Sequence, residues 1–215
     1  MNRFMVKNVN SVLDTYTLGD KNKRGYMVSK NETELCQLAF KYRADKCERI
    51  KHPFTPFYYD LFSKRRRSIK KILEIGIGRG ASLSMWRDFF PNAQIYGIDH
   101  DPGTMFRDER IQTFFCNQSS RKDLEALIAK IGNDIDLLID DGSHVPSDQV
   151  FTCLTLMPLL KKDVIYIIED VADMNIKEKL KKYNTHVIYL WRSDRKRYHD
   201  DTLLVVRNKE KRSEH

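Results

Sequence analysis

Residues 73–80 read LEIGIGRG, and this stretch leads from an apolar run through three alternating glycines into a helical pattern. Glycine permits a tight turn and a close approach of the backbone to a ligand, and a helix N-terminus presents free N–H donors. The spacing G-x-G-x-G differs from the G-x-G-x-x-G of dinucleotide-binding turns. About twenty residues later, Asp99 ends the next apolar run, where a carboxylate can accept hydrogen bonds from two ribose hydroxyls. The stretch predicts a strand–turn–helix unit that binds a ribose-containing ligand; a tight turn without a ligand is the alternative.

From Lys71 onward, short apolar runs alternate with helical patterns. The predicted strands are Ile72–Ile75, Gln94–Ile98, Ile111–Phe115, Asp136–Ile139, Val164–Ile168, His186–Leu190 and Thr202–Val206. The predicted helices are Ala81–Phe89, Arg121–Ile131, Ser147–Leu160 and Ile176–Tyr183. Continuous apolar strands that alternate with helices are typical of a parallel sheet covered on both faces. The polar stretch from Trp191 to Asp201 has no room for a crossover helix, so an antiparallel hairpin is expected at the sheet edge.

These patterns predict an α/β fold: a Rossmann-like, doubly wound, seven-stranded sheet that is mostly parallel with an antiparallel last strand. Before Lys70 the pattern is helical instead. Asn31 or Thr33 is expected to cap a helix that runs to Tyr42, and a second amphipathic stretch follows Pro56. The chain therefore divides into a helical N-terminal segment, residues 1–69, and a ligand-binding domain, residues 70–215.

The 215-residue chain is 41% hydrophobic and 32% charged, which is typical of a globular domain and excludes a disordered or collagen-like protein. It has no apolar run near the roughly 20 residues that span a bilayer, and residues 1–7 do not resemble a secretory signal. A cytoplasmic protein without a membrane partner is expected. Its four scattered cysteines indicate free thiols rather than a zinc site. The net charge of +8 lies in short runs, so solvated surface is favoured over a nucleic-acid partner.

Two acidic motifs follow apolar runs of the predicted sheet. Residues 140–144 read DDGSH, and residues 169–170 read ED. Carboxyl ends of neighbouring parallel strands lie together, and converging carboxylates repel unless a cation balances them. Hard oxygen ligands favour Mg²⁺, with Mn²⁺ or Ca²⁺ as alternatives. The motifs predict a divalent-metal site with His144 as a general base; acids that cap helices or pair with surface lysines are the alternative.

The glycine turn and Asp99 resemble the class I S-adenosylmethionine-dependent methyltransferases, over most of residues 70–207. The resemblance implies that S-adenosylmethionine is the cofactor and that the following residues bind it: Glu74, Gly76, Gly78, Gly80 and Asp99. In place of the acid that this family usually has after strand three, the chain has Asn117 and Gln118. The resemblance places these two side chains near the adenine, and a solvated loop is the alternative reading.

The two acidic motifs are similar to those of the metal-dependent sugar O-methyltransferases of macrolide tailoring, the mycinamicin and macrocin O-methyltransferase group. The resemblance implies that Mg²⁺ or Mn²⁺ is held by Asp141, Glu169 and Asp170, and that His144 is the base. It also implies that Asp140 contacts either the cofactor or the metal ligands, without binding the metal itself.

Upstream, that group has a Gly-Thr-Asp-Lys element followed by a histidine and aromatic residues. This chain keeps Asp45-Lys46, His52 and Tyr58-Tyr59. The resemblance implies a segment that closes over the site, and ordinary helix and turn surface is the alternative.

The resemblance implies an O-methyltransferase that acts on a hydroxyl of a sugar or of a sugar-containing small molecule or glycan. An aromatic diol of the catechol type is a rival acceptor, because the same metal could hold two adjacent oxygens. A methyltransferase-like protein that binds nucleic acid through its basic surface is a further alternative. A homo-oligomer is compatible with the sequence but is not indicated by any one motif.

Overall fold

The computed structural model describes residues 9–13, 26–27, 32–191 and 201–209, and within these ranges nine strands form one sheet. The strands are β1 (Tyr26–Met27), β2 (Lys71–Ile75), β3 (Gln94–Asp99), β4 (Arg107–Asp108), β5 (Ile111–Phe115), β6 (Leu137–Asp140), β7 (Ile165–Ile168), β8 (Asn184–Trp191) and β9 (Thr202–Arg207). Their order in the sheet is β1-β8-β9-β7-β6-β2-β3-β5-β4.

The helices are α1 (Glu34–Tyr42), α2 (Thr55–Phe62), α3 (Ala81–Phe89), α4 (Arg121–Ile131), α5 (Pro146–Leu156) and α6 (Asn175–Lys179). Residues 9–13 are also helical, and 3₁₀ turns cover Ser63–Arg65 and Pro102–Thr104. Thr33 caps α1, with its Oγ1 accepting a hydrogen bond from the Cys36 main-chain nitrogen at 3.2 Å.

The predicted sheet is confirmed in its topology. Strands β2, β3, β5, β6 and β7 are parallel, and β9 is antiparallel to both β7 and β8. All seven predicted strands are present, and the two additional strands are two-residue pairings at the sheet edges. The predicted antiparallel pair is β8–β9, which lies at one end of the sheet with β9 between β7 and β8 and the two-residue β1 beyond β8.

Two of the predicted helices are too long. Helix α5 ends at Leu156, four residues before the predicted Leu160. Met157 still has helical φ and ψ of −52° and −39°, but Pro158 has no main-chain N–H with which to continue the helical hydrogen bonds. Helix α6 ends at Lys179 instead of Tyr183. Both differences lie on the side of the sheet away from the glycine turn's helix, and they leave the strand ends unchanged.

The sheet has one apolar core on each face. One core is formed by α4, α5 and α6 against the sheet. The other joins α3 and the sheet to apolar residues of α1 and α2, including the fully buried Phe57 and Phe62. Residues from both sides of the predicted boundary at Lys70 therefore pack into one core. The division into a lid segment and a catalytic domain stays a prediction.

The four cysteines are buried and unpaired, as predicted. In the part of the chain that the structure describes, no helix is long and apolar enough to cross a membrane.

Candidate active site

A cleft of about 670 Å³ opens at the carboxyl ends of β2, β3, β5, β6 and β7. Its walls are residues 75–79 and 98–100, residues 116–119, residues 141–144, and Asp170. Arg43, Ala44, Asp45 and Lys51, from the connection between α1 and α2, line it as well. The cleft therefore brings together the glycine turn, both acidic motifs and part of the N-terminal segment. Ligands of open α/β sheets bind at this edge.

The glycine turn forms the floor of the cleft. Gly76 has a φ of +90°, and a Cβ atom there would lie 2.1 Å from the main-chain oxygen of Asp141. A side chain at this position would therefore push the two loops apart. Gly78 has a φ of +51°, and nothing lies within 4 Å of the position that its Cβ would take. The turn thus leaves room for a ligand to approach the backbone closely.

Asp99 fixes this turn and faces the cleft. Its Oδ2 accepts a hydrogen bond from the Ile77 main-chain nitrogen at 2.9 Å, and its Oδ1 accepts one from Asp101 at 3.0 Å. Burial raises the pKa of Asp99, but the main-chain donors outweigh burial and hold it below its usual range. The side chain is therefore an ionised acceptor, and each oxygen retains a lone pair for a hydroxyl.

Asn117 and Gln118 both line the cleft, and both side chains are already engaged. The Oδ1 of Asn117 accepts a hydrogen bond from the Ser119 nitrogen at 2.9 Å. The Oε1 of Gln118 accepts one from the Ser143 nitrogen at 2.8 Å, and its Nε2 donates to the Thr152 hydroxyl at 3.3 Å. Gln118 therefore supports the loop after β6. Its predicted contact with an adenine stays a prediction.

Asp141, His144 and Asp170 come together at the cleft, with ligand atoms all within 4.8 Å of one another. His144 Nε2 lies 4.0 Å from Asp141 Oδ1 and 3.7 Å from Asp170 Oδ2. His144 and Asp170 are both in the left-handed region, with φ of 56° and 52°. Non-glycine residues adopt this conformation at a cost, and it occurs often at functional sites.

This donor set fits a divalent cation. Opposite ligands of an octahedral Mg²⁺ lie about 4.2 Å apart, since each bond is about 2.1 Å long. The two separations from His144 Nε2, 4.0 and 3.7 Å, are close to this distance, and all three donor atoms lie within 4.8 Å of one another. In addition, Oδ1 of Asp170, which faces His52 at 3.6 Å, is buried without a hydrogen-bond partner. Burial, with the Asp141 carboxylate nearby, raises the pKa of Asp170 to about 6. A cation between the two carboxylates would relieve that repulsion.

Lys46 forms ion pairs with a second group of acids, which is next to the Asp141–His144–Asp170 cluster and shares Asp141 with it. The Nζ of Lys46 lies 2.5 Å from Asp141 Oδ2, 2.5 Å from Glu169 Oε2 and 3.2 Å from Glu74 Oε1. Tyr58 donates a 2.5 Å hydrogen bond to the other oxygen of Glu169. Burial raises the pKa of Glu74 to about 7 and that of Glu169 well above its usual value. Burial opposes the charge of Lys46, but the three carboxylates outweigh burial and raise its pKa.

The predicted site residues thus fall into two groups. Gly76, Gly78, Asp99, Asn117, Gln118, Asp141, His144 and Asp170 line the cleft, whereas Glu74, Gly80, Asp140 and Glu169 do not. Asp140 is fully buried, accepts a 2.9 Å hydrogen bond from Tyr166, and has a pKa raised by burial to about 7. Glu74 accepts a 2.9 Å hydrogen bond from the indole of Trp86.

No pattern in the sequence indicates that Lys46 binds both acidic motifs. Its position in the Asp-Lys element was visible, but its three partners lie 28, 95 and 123 residues further along the chain. Asp201 was not predicted at all. It is buried and lies 2.9 Å from His52 Nδ1, and an acid that closes a polar stretch carries no signal in the sequence for such a contact.

Comparison with known proteins agrees with this geometry. Residues 73–171 match a family model described as a methyltransferase domain. The chain is 36% identical over 147 residues to the 8-demethyl-8-(2-methoxy-alpha-L-rhamnosyl)-tetracenomycin-C 3'-O-methyltransferase of Streptomyces olivaceus, covering 64% of this chain and 37% of that protein. It is 33% identical over 145 residues to the mycinamicin VI 2''-O-methyltransferase of Micromonospora griseorubida, covering 64% and 36%. The chain thus spans little more than a third of the length of these relatives.

The fold is also that of a solved methyltransferase. The MycE methyltransferase from the mycinamycin biosynthetic pathway, in complex with Mg, SAH and mycinamycin VI, superimposes with a TM-score of 0.68 at 23% identity. The match covers 97% of this chain and 64% of that one. The chain therefore contains a methyltransferase domain and is related in sequence to O-methyltransferases that act on sugar-bearing molecules.

Proposed function

We propose that the protein transfers a methyl group from S-adenosylmethionine to a hydroxyl of a sugar or of a sugar-containing small molecule, with the help of a divalent metal. One observation carries this proposal: Asp141, His144 and Asp170 line the same cleft as the glycine turn and Asp99. The named relatives are O-methyltransferases of a rhamnosyl-tetracenomycin and of mycinamicin VI. A cofactor subsite and a metal subsite that share one cleft are what such a reaction requires.

The cofactor subsite is formed by Gly76, Gly78, Asp99 and Asn117. The open backbone at Gly78 accommodates a closely bound ligand, and the Asp99 carboxylate accepts hydrogen bonds from ribose hydroxyls. Glu74 and Asp140 are buried and bond to protein groups, Glu74 to Trp86 and Asp140 to Tyr166, and their contact with the cofactor stays a prediction. When bound, S-adenosylmethionine supplies an activated methyl group on a sulfonium.

The metal subsite is formed by the carboxylates of Asp141 and Asp170, whose charges suit Mg²⁺ or Mn²⁺. Bound there, the ion would orient the acceptor oxygen and stabilise its negative charge. The prediction that Glu169 is a third ligand stays a prediction. Both oxygens of Glu169 are bonded in this structure, one to Lys46 and one to Tyr58.

His144 accepts the proton of the acceptor hydroxyl in this proposal. Its Nε2 is directed at the two carboxylates, and its side chain is 44% exposed at the cleft. Imidazole is the side chain most often used to accept a proton from a substrate hydroxyl.

The test uses purified protein with S-adenosylmethionine labelled in its methyl group. A panel of rhamnosyl and other glycosides, a catechol and an RNA is incubated with the protein, with Mg²⁺ or with EDTA, and the products are identified by mass spectrometry. We expect methylated glycoside in Mg²⁺ and none in EDTA. Asp141→Asn and Asp170→Asn should abolish this product, while the surface variant Lys41→Met retains it.

Transfer to the catechol alone would identify an aromatic diol as the acceptor and contradict the sugar. Transfer to RNA, or transfer in EDTA, would contradict the proposed metal-dependent reaction on a small molecule. A cytoplasmic location, a homo-oligomer and the lid function of residues 1–69 stay predictions.

A further inference from the structure

We propose that residues 43–54, here named the brace loop, hold the metal subsite in shape through two positioning residues, Lys46 and His52. The proposal rests on the proposed metal dependence and adds a role for the N-terminal segment. Lys46 and His52 come from one loop, both are 1% exposed, and each contacts a different candidate ligand.

The first contact fixes Asp141. Lys46 Nζ lies 2.5 Å from Asp141 Oδ2, and the other oxygen, Oδ1, faces His144 Nε2 at 4.0 Å. A charge-assisted hydrogen bond to one carboxylate oxygen restricts rotation of the whole group. Lys46 is itself immobilised by Glu169 and Glu74, because a buried ammonium needs all of its hydrogen-bond partners. Asp141 is therefore held with Oδ1 toward the cleft.

The second contact is between His52 and Asp170, and it is longer than a hydrogen bond. His52 Nε2 faces Asp170 Oδ1 at 3.6 Å, and the other oxygen, Oδ2, faces His144 Nε2 at 3.7 Å. The Nδ1 of His52 is 2.9 Å from Asp201 Oδ1, and its ring stacks on Phe54 with centroids 4.8 Å apart. The imidazole is thus oriented from both sides. Each ligand carboxylate has one oxygen toward the brace loop and one toward His144.

The brace loop fixes the spacing of these two contacts through its own main chain. The His52 nitrogen donates to the Asp45 oxygen at 2.8 Å. The nitrogens of Phe54 and Thr55 both donate to the Lys46 oxygen, at 3.0 and 3.1 Å. Hydrogen bonds therefore close the loop directly beside both side chains. Partners that orient metal ligands usually contribute 10–100-fold to metal affinity or activity.

The experiment measures binding of Mn²⁺ by electron paramagnetic resonance in the absence of acceptor, so that activity is not the readout. Lys46→Met should weaken Mn²⁺ binding by about 10–100-fold, and Lys46→Arg should bind more tightly than Lys46→Met. The surface variant Lys41→Met, whose lysine pairs with Asp88, is the matched control and should bind as the wild type does. Lys46→Met removes a positive charge near the metal subsite, and this change by itself would tighten Mn²⁺ binding. Weaker Mn²⁺ binding by the variant would therefore show that Lys46 positions the ligand Asp141.

His52 provides a second test if Lys46→Met does not fold. Gln places its amide nitrogen near the position of Nε2, toward Asp170, whereas Asn places its nitrogen near Nδ1, toward Asp201. We expect His52→Gln to retain more Mn²⁺ affinity than His52→Asn. A merely structural histidine would not produce this order. Calorimetry with S-adenosylmethionine verifies that each variant keeps its cofactor subsite.

Wild-type protein that binds no Mn²⁺ would overturn both the proposed metal dependence and the brace. Wild-type binding, together with equal or tighter binding by Lys46→Met and no difference between the His52 variants, would overturn the brace alone. Weaker binding in Lys46→Met with unchanged cofactor affinity would support it.

Discussion

Gly76 and the main-chain oxygen of Asp141 are in direct contact, because a Cβ atom on Gly76 would lie only 2.1 Å from that oxygen. The neighbouring residues reinforce the contact: the Asp141 nitrogen donates to the Ile75 oxygen at 2.9 Å. The glycine turn and the loop after β6 are therefore in direct main-chain contact. A substitution that displaces one of them should displace the other.

We expect Gly76→Ala to impair both subsites. The added methyl group must displace the Asp141 main chain, and a φ of +90° is strained for alanine. Gly78→Ala adds its methyl group to open space at the cleft, so it should weaken S-adenosylmethionine binding with little effect on Mn²⁺. Calorimetry for the cofactor and paramagnetic resonance for Mn²⁺ measure the two affinities separately. Equal effects of both variants on Mn²⁺ would contradict the coupling.

His144→Ala should lower turnover by about 10²–10⁴-fold, the usual contribution of a general base. S-adenosylmethionine affinity should be unchanged, because Gly78 and Asp99 are unaffected. The Mn²⁺ affinity of the variant distinguishes two roles of the imidazole. If His144 is a base, its loss leaves the Mn²⁺ affinity nearly unchanged; if His144 is a metal ligand, its loss lowers that affinity. Full activity in this variant would rule out both roles.

Gln118→Ala should weaken Mn²⁺ binding more than cofactor binding. Its amide holds the Ser143 nitrogen at 2.8 Å, one residue before His144. Without this hydrogen bond, the loop after β6 is held less firmly, and His144 and Asp141 with it. Asn117→Ala is the matched comparison, since its side chain bonds only within its own loop, to Ser119. If Gln118→Ala affects S-adenosylmethionine alone, the predicted adenine contact is the better account.

The free energy of unfolding of metal-free protein should fall as the pH rises from about 5 to 7. Burial raises the pKa of Glu74 and of Asp140 to about 7 in the folded state, above the values of about 4 in the unfolded chain. In this range the folded state binds more protons than the unfolded state, so each group lowers stability with rising pH, by at most about 1.4 kcal/mol per pH unit.

Glu74→Gln should make this slope shallower, because glutamine does not titrate and its oxygen still accepts the Trp86 hydrogen bond. Urea unfolding in EDTA at several pH values measures the slope. Glu125→Gln, at a half-exposed position on α4, is the control and should leave it unchanged. A free energy of unfolding that rises with pH over this range would contradict the raised pKa values of Glu74 and Asp140.

The order of strands and helices could be read from the sequence because apolar periodicity is local. Helices α3 and α4 and strand β5 begin and end where the pattern predicts. The acidic motifs could be placed at one edge for a related reason: parallel strands connected by crossovers end on the same side of a sheet. The cleft that contains Asp99, Asp141 and Asp170 follows from that rule.

The partners of individual side chains could not be read in this way. The sequence grouped Glu169 with Asp141 and Asp170, but the structure pairs it with Lys46 and Tyr58. His52 and Asp201 are 149 residues apart. Such contacts depend on how α1 and α2 pack against the sheet and on the path of the loop between them, which no local pattern encodes. Local patterns in the sequence therefore specify the succession of strands and helices along the chain, the glycine turn and the edge of the sheet at which the acids lie. The bonding of Lys46 to Asp141 in the cleft wall and to Glu169 outside that wall follows from the folded structure alone, because this lysine comes from a loop that is distant in the sequence.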